Sequence, residues 1–192
     1  EEQRNSMASR MNLEEGKGVV LYAPTWRGEN KESNSFDIDK LIYDLNELSK
    51  IDANILFRGH SITKSLLKDV VFPKNVIIPP SDISTNHLMS IVDVLISDYS
   101  SVFFDFIPTE RPIIHYIYDI EDYVSVRGLN IPTEDLPGYI AKNTEELVSS
   151  VKYSLENPKP SEKYLQSKNK FYVAFFFFKI SHAWWGAVAH AC

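Results

Sequence analysis

The chain is nearly without cysteine. Cys192, the last of its 192 residues, is the only one, so no disulfide can form within the chain, which fits a reducing compartment. Positive charge is not in excess either. Lys and Arg number 20 against 26 Asp and Glu, a net charge of −6. A nucleic-acid footprint needs a basic face, so no nucleic-acid partner is expected. One local anion pocket remains compatible with that balance. The opening stretch, EEQRNSMASRMNLEEGKG, has no apolar signal core and does not begin with Met; the expectation is a piece of something longer. No internal repeat or low-complexity linker appears. Apolar residues run from Phe171 to Phe178 before Lys179 interrupts, well short of the roughly 18 needed for a spanning helix.

What is present is a globular composition, 44% hydrophobic and 24% charged, in a length that suits one domain with a proper core. Compact apolar runs alternate with segments of helical spacing. Val19–Tyr22, Asn54–Phe57, Val76–Ile78, Val94–Ser97 and Ile113–Tyr118 read as buried strands. Residues 37–50 carry Ile38, Leu41, Ile42, Leu45 and Leu48 at helical spacing, with Asp37 as cap. Ile62–Val71, Thr85–Val92 and 144–156 read as further helices, the last with Thr144 as cap and Glu145 or Glu146 near its third position. The alternation predicts an α/β fold, a Rossmann-like, mostly parallel sheet with helices on both faces. In such sheets ligands bind beyond the carboxyl ends of the strands.

Residues 94–105, VLISDYSSVFFD, are the most informative stretch. They read as a buried strand, a tight turn and a helix start. Such a turn aims free backbone N–H groups and the Ser100 and Ser101 hydroxyls at one spot, where an anion can sit. The competing reading is that the serines only cap the helix. Other loops add to the same edge: Pro24–Arg27 after the first strand, Arg58-Gly59-His60-Ser61 after the second, Tyr118-Asp119 after the fifth, and Arg127-Gly128 in a loop beyond. Each alone could be a surface charge or a structural histidine. Together they point to an anionic ligand such as a nucleotide diphosphate.

The set YAPTWR (22–27), RGHS (58–61), ISDYSSVFFDF (96–106), RPIIHYIYDIEDY (111–123), RGL (127–129), EDLPG (134–138) and NTEEL (143–147) resembles the CDP-glycerol glycerophosphotransferases, the teichoic-acid and related capsule polymerases. The resemblance spans roughly residues 17–160. It implies the C-terminal, donor-holding half of a glycosyltransferase-B architecture, with 1–16 as a connecting segment and 161–192 as a C-terminal segment. It implies a transferase that moves glycerol phosphate, or a related polyol phosphate, from a CDP-activated donor to a growing polymer and releases CMP. By the same resemblance the acceptor is made on a membrane lipid and the enzyme is peripheral at the cytoplasmic face of the bacterial membrane. The catalytic base lies in an N-terminal half, and oligomerisation is left open.

Carried over by residue, the resemblance gives His60 the catalytic role, at the donor pyrophosphate and leaving group, with Arg58 as the basic position beside it. Ser100 and Ser101 become the hydroxyl pair at the phosphate, Asp98 the residue that orders their turn, and Tyr99 a packing residue. Asp82 and Ile83 sit where the base is read through backbone groups, and Arg127 lies in a loop over the donor. Arg, His and backbone amides can neutralise the phosphates without a nucleotide-binding metal, so neither metal nor other cofactor is called for. Alternatives are a non-catalytic nucleotide-binding module and a glycosyltransferase-B enzyme using another nucleotide sugar. Two features depart from the family: Ser61 stands where it has Pro, and residues 171–192 do not resemble its closing helix. For that tail an altered reading frame, an artefactual terminus and an interfacial anchor all stay open. His182, His190 and Cys192 fit no standard metal spacing.

Overall fold

Runs such as GVVLY and ANILF, apolar on both faces of a strand, form only where helices cover both sides of a sheet. The computed structural model describes residues 2–25, 37–59, 67–127 and 131–171. In it β1 (Gly18–Tyr22), β2 (Ala53–Phe57), β3 (Val76–Ile77), β4 (Val94–Ser97), β5 (Ile113–Tyr116) and β6 (Tyr139–Ala141) form one sheet. Its order is β3-β2-β1-β4-β5-β6, and every pairing is parallel. The chain order reverses between β1 and β4, which opens a crevice at their carboxyl ends.

The strands alternate between two cores, as a two-residue period requires. Val20, Tyr22, Ile55, Phe57, Val94, Ile96, Ile114 and Tyr116 pack on one face beneath α2 (Ile38–Leu48) and α6 (Thr144–Glu156). Val19, Leu21, Leu56, Leu95 and Ile113 pack on the other, beneath α3 (Thr85–Met89) and α4 (Val102–Phe106). Met11, just past α1 (Glu2–Arg10), and Tyr164, on a helix over 162–171, close that second core. The Rossmann-like architecture is the one expected.

The elements differ from expectation in instructive places. Asp37 caps α2 as read, accepting from the Lys40 amide at 2.8 Å. The cap of α6 is Asn143, not Thr144. Asn143 accepts from the Glu146 amide at 2.9 Å, and Glu146 reaches back to the Lys142 amide at 2.8 Å. Thr144 is instead buried and donates to Asp44 Oδ1 at 2.6 Å. α3 ends at Met89, short of Val92. Arg127 belongs to a helix, α5 (Ile120–Arg127), rather than to a loop. β5 stops at Tyr116, and β6 was not anticipated. Of the expected helix Ile62–Val71, residues 62–66 lie outside the described residues, and in the described remainder 67–69 are turn and 70–71 are irregular.

Candidate functional site

The crevice lies where β1 and β4 diverge, and Asp98 closes it from below. Asp98 directly follows β4 and is only 2% exposed. Its carboxylate accepts from the Thr25 amide at 3.0 and 2.8 Å, from the Thr25 hydroxyl at 2.5 Å and from the Tyr99 amide at 2.7 Å. A buried carboxylate is tolerated when donors surround it in this way. The result stitches the loop after β1 to the turn after β4, the ordering role expected of Asp98. Tyr99 packs as expected too. Its ring stacks on Tyr123 of α5, centroids 3.6 Å apart, and its hydroxyl donates to Asp119 at 3.0 Å.

The two serines do different things. Ser100 Oγ accepts from the Val102 amide at 3.2 Å, satisfying one donor of the helix start. Ser101 occupies the capping position but has helical backbone angles, φ −66° and ψ −6°, and its hydroxyl makes no capping bond. It is exposed and points no bond into the protein among the described residues. A helix of five residues has little macrodipole, so hydroxyls and backbone amides carry the anion-binding capacity of this turn. A cavity of about 150 Å³ opens beside them, walled by Asp98, Tyr99, Ser101, Phe103, Tyr123 and Leu136.

His115 sets the floor beneath that turn. It is fully buried on β5, with Nε2 2.9 Å from the Pro137 carbonyl. Burial pushes its pKa down to about 4, against a smaller opposing pull from the Pro137 carbonyl. The neutral ring therefore donates from Nε2. Its Nδ1 has no partner, and neither has Oγ of Ser97, its register neighbour on β4. Phe103 of α4 meets the ring edge-on at 5.1 Å. Gly138 follows Pro137 with φ +95°, and a Cβ there would stand 2.1 Å from the Ile113 carbonyl oxygen. The 131–138 segment, which walls the cavity, is thus pinned to β5 by one side chain and one obligatory glycine.

On the far side of the crevice Arg58 follows β2. Its guanidinium donates to the Pro80 carbonyl at 3.4 Å and also to the Ile83 carbonyl. Asp82, in the same loop, pairs with Arg10 at the end of α1 at 2.5 Å, and that contact holds its carboxyl below the usual range. Ile83 is buried by its side chain. Arg58, Asp82, Ile83, Asp98, Ser100 and Ser101 therefore all lie at the carboxyl edge of the sheet. His60, Arg27 and the Arg127 side chain fall outside the described residues. Thr25 and Asp119 lie in loops already assigned to this edge from the sequence, without a role of their own, and Tyr123 and Leu136 had been given no place in the site. Their signal was positional, since each follows a strand or lies in a motif already quoted.

A larger cavity, about 660 Å³, opens at the opposite end of the sheet, between α1 and the starts of β1, β2 and β4. Its two lining cations are both held by carboxylates, Arg4 by Asp93 at 3.3 Å and Lys17 by Glu14 and Asp52 at 2.6 and 2.7 Å. Size alone does not make it the site, because neither lining cation is left over for an anionic ligand.

Comparison with known proteins decides the family. The profile of the CDP-glycerol:poly(glycerophosphate) glycerophosphotransferases matches residues 1–176. The chain belongs to this family. Among its relatives is a teichoic acid glycerol-phosphate transferase of Staphylococcus aureus, 33% identical over 89% of this chain and 44% of the relative. Another is a teichoic acid poly(glycerol phosphate) polymerase of Bacillus subtilis, 32% identical over 79% of this chain and 21% of the relative. The solved wall teichoic acid polymerase TagF superposes with a TM-score of 0.69 at 30% identity, over 89% of this chain and 42% of that one. A spinosyn rhamnosyltransferase, at 13% identity and a TM-score of 0.52, shares the fold alone. The chain thus spans less than half the length of these relatives.

Proposed function

We propose that this chain is the donor-binding half of a transferase that moves glycerol phosphate, or a related polyol phosphate, from a CDP-activated donor to a growing teichoic-acid-like polymer. The observation that carries the reading is the Asp98-anchored turn at the switch point, which leaves the Ser101 hydroxyl open beside a cavity, in a chain of this family. In the reaction an acceptor hydroxyl oxygen bonds the β-phosphorus of the donor. The bond from that phosphorus to the bridging oxygen breaks, and CMP leaves with the electron pair. The acceptor proton passes to a base. Ser100, Ser101 and Arg127 face the phosphates, His60 assists the leaving group, and the Asp82-Ile83 backbone meets the base. Arg58 belongs to the same binding edge.

The histidines of the described residues offer no such base. His87 lies in α3 and bonds Ser84, and His115 is buried. The base belongs to a second half of the enzyme. The acceptor is a polymer built on a membrane lipid, and the enzyme works peripherally at the cytoplasmic face; no described helix is long and apolar enough to cross a membrane. The chain alone is expected to bind donor without transferring it. Adding the missing half should restore extension of a glycerol-phosphate primer, and His60→Ala should then abolish it. Extension by this chain alone would contradict the reading.

A further inference from the structure

Arg58 stands at the binding edge, where a guanidinium would ordinarily be assigned to phosphate. Its hydrogen bonds run elsewhere. Both Nη atoms contact the Pro80 carbonyl at 3.4 Å, one of them also reaches the Ile83 carbonyl, and the Nε is buried without a partner. The two acceptors lie 22 and 25 residues away, in the loop that follows β3. That loop begins with Pro79-Pro80, and neither proline can donate a backbone hydrogen bond. Inside the loop the Ile83 amide donates to the Pro80 carbonyl at 3.2 Å, and an outside clamp adds to that turn. Arg58 supplies one from the β2 side. The backbone amide of Arg58 donates to the Tyr22 carbonyl at 2.9 Å, so the clamp is itself fixed to β1. Arg10 supplies a second from α1, through Asp82.

We infer that Arg58 is a positioning residue that presets the 80–83 loop for the nucleoside, and not a ligand of the donor phosphates. The inference rests on the proposed function, because it takes that loop as the nucleoside contact. Lysine cannot replace this arginine. A single ammonium on a flexible stem does not bridge two carbonyls in one plane as a guanidinium fork does. Arg10 is the outer brace. Its pair with Asp82 is exposed, at 50% and 65% of the side-chain surfaces, so its loss should matter much less.

The two roles separate by ligand. A phosphate ligand affects only phosphorylated compounds, whereas a loop brace affects the nucleoside itself. The full chain and its Arg58→Lys, Arg58→Gln and Arg10→Gln variants would be titrated with cytidine, CMP and CDP-glycerol by NMR and calorimetry, with melting curves alongside. The expected result is a loss of about tenfold by both Arg58 variants, the order of one charge-assisted hydrogen bond. The loss should be the same factor for cytidine as for CDP-glycerol, with Arg10→Gln within about twofold of the parent. If Arg58→Gln does not fold, Arg58→Lys carries the test. A loss confined to CMP and CDP-glycerol, or an Arg58→Lys variant that binds all three as the parent does, would overturn the inference and leave the proposed function standing. Failure of the parent chain to bind any of the three would overturn the proposed function, and this inference with it.

Discussion

At the scale of single residues, the turn after β4 divides its labour between two adjacent hydroxyls. Ser100 serves the helix start and Ser101 does not. Ser101→Ala should therefore weaken CDP-glycerol binding by about 1–3 kcal/mol, the worth of a hydrogen bond to a charged phosphate, and leave the melting temperature nearly unchanged. A cap residue would behave in reverse, losing about 1 kcal/mol of stability with affinity intact. Melting and titration of the same variant separate the cases. The sequence showed that a turn with two serines stood here. It could not show which hydroxyl caps, because that depends on backbone angles at Ser101. Nor could it show the partners of Arg58, which are backbone carbonyls far along the chain.

His115 carries a second residue-scale prediction. Its folded pKa is depressed to about 4 from an ordinary 6.5. As pH falls below the ordinary value the unfolded chain takes up a proton that the native ring refuses, so stability is complete at neutral pH and declines through that window. The loss between about pH 7.5 and pH 5 should be on the order of 2 kcal/mol from this group alone. The groups that bear on the ring oppose each other, Asp98 favouring its protonation and Lys163 disfavouring it. In His115→Gln this part of the acid sensitivity should vanish. Thermal melts across that range check it, and equal pH slopes in the two proteins would contradict it.

At the scale of elements, α2, β5 and α6 meet at a buried polar node. Asp44 is fully buried and binds Lys40 Nζ at 2.5 Å, the Tyr116 hydroxyl at 2.9 Å and the Thr144 hydroxyl at 2.6 Å. Lys40 also donates to Thr144 at 2.9 Å and packs over the Tyr116 and Tyr118 rings. Removing the carboxylate in Asp44→Ala leaves these donors unpaired and should cost about 3 kcal/mol. The figure is at the low end because Lys40 keeps 26% of its side-chain surface in water. Asp44→Asn, which can still accept and donate, should cost less. Chemical denaturation of both variants checks the order.

The same node explains one failed reading. Thr144 has the chemistry of a cap but is claimed by Asp44, and Asn143, one residue earlier, caps α6 instead. The central strands were legible because burial on both faces leaves an unbroken apolar run. β6 was not. It has three residues, pairs with β5 alone and is buried only at Ala141. α5 escaped notice because in IEDYVSVR the apolar positions do not gather on one helical face.

At the scale of the whole molecule, the fold places the candidate site residues along one edge of the sheet and pairs Arg4 and Lys17 with carboxylates at the other. The first leaves the Ser101 hydroxyl open beside a cavity. That edge is legible in the sequence, since loops with hydroxyl or cationic residues follow four separate strands. The turn's anchoring through Thr25 was not, because Asp98 and Thr25 are 73 residues apart. This edge is proposed to hold a CDP-activated polyol without help from a second half. Calorimetric titration of the folded chain with CDP-glycerol tests it most directly, with CMP and UDP as competitors. The expected result is saturable one-site binding that CMP displaces and UDP does not. Absence of heat and of competition, in a chain shown by its melting curve to be folded, would contradict it.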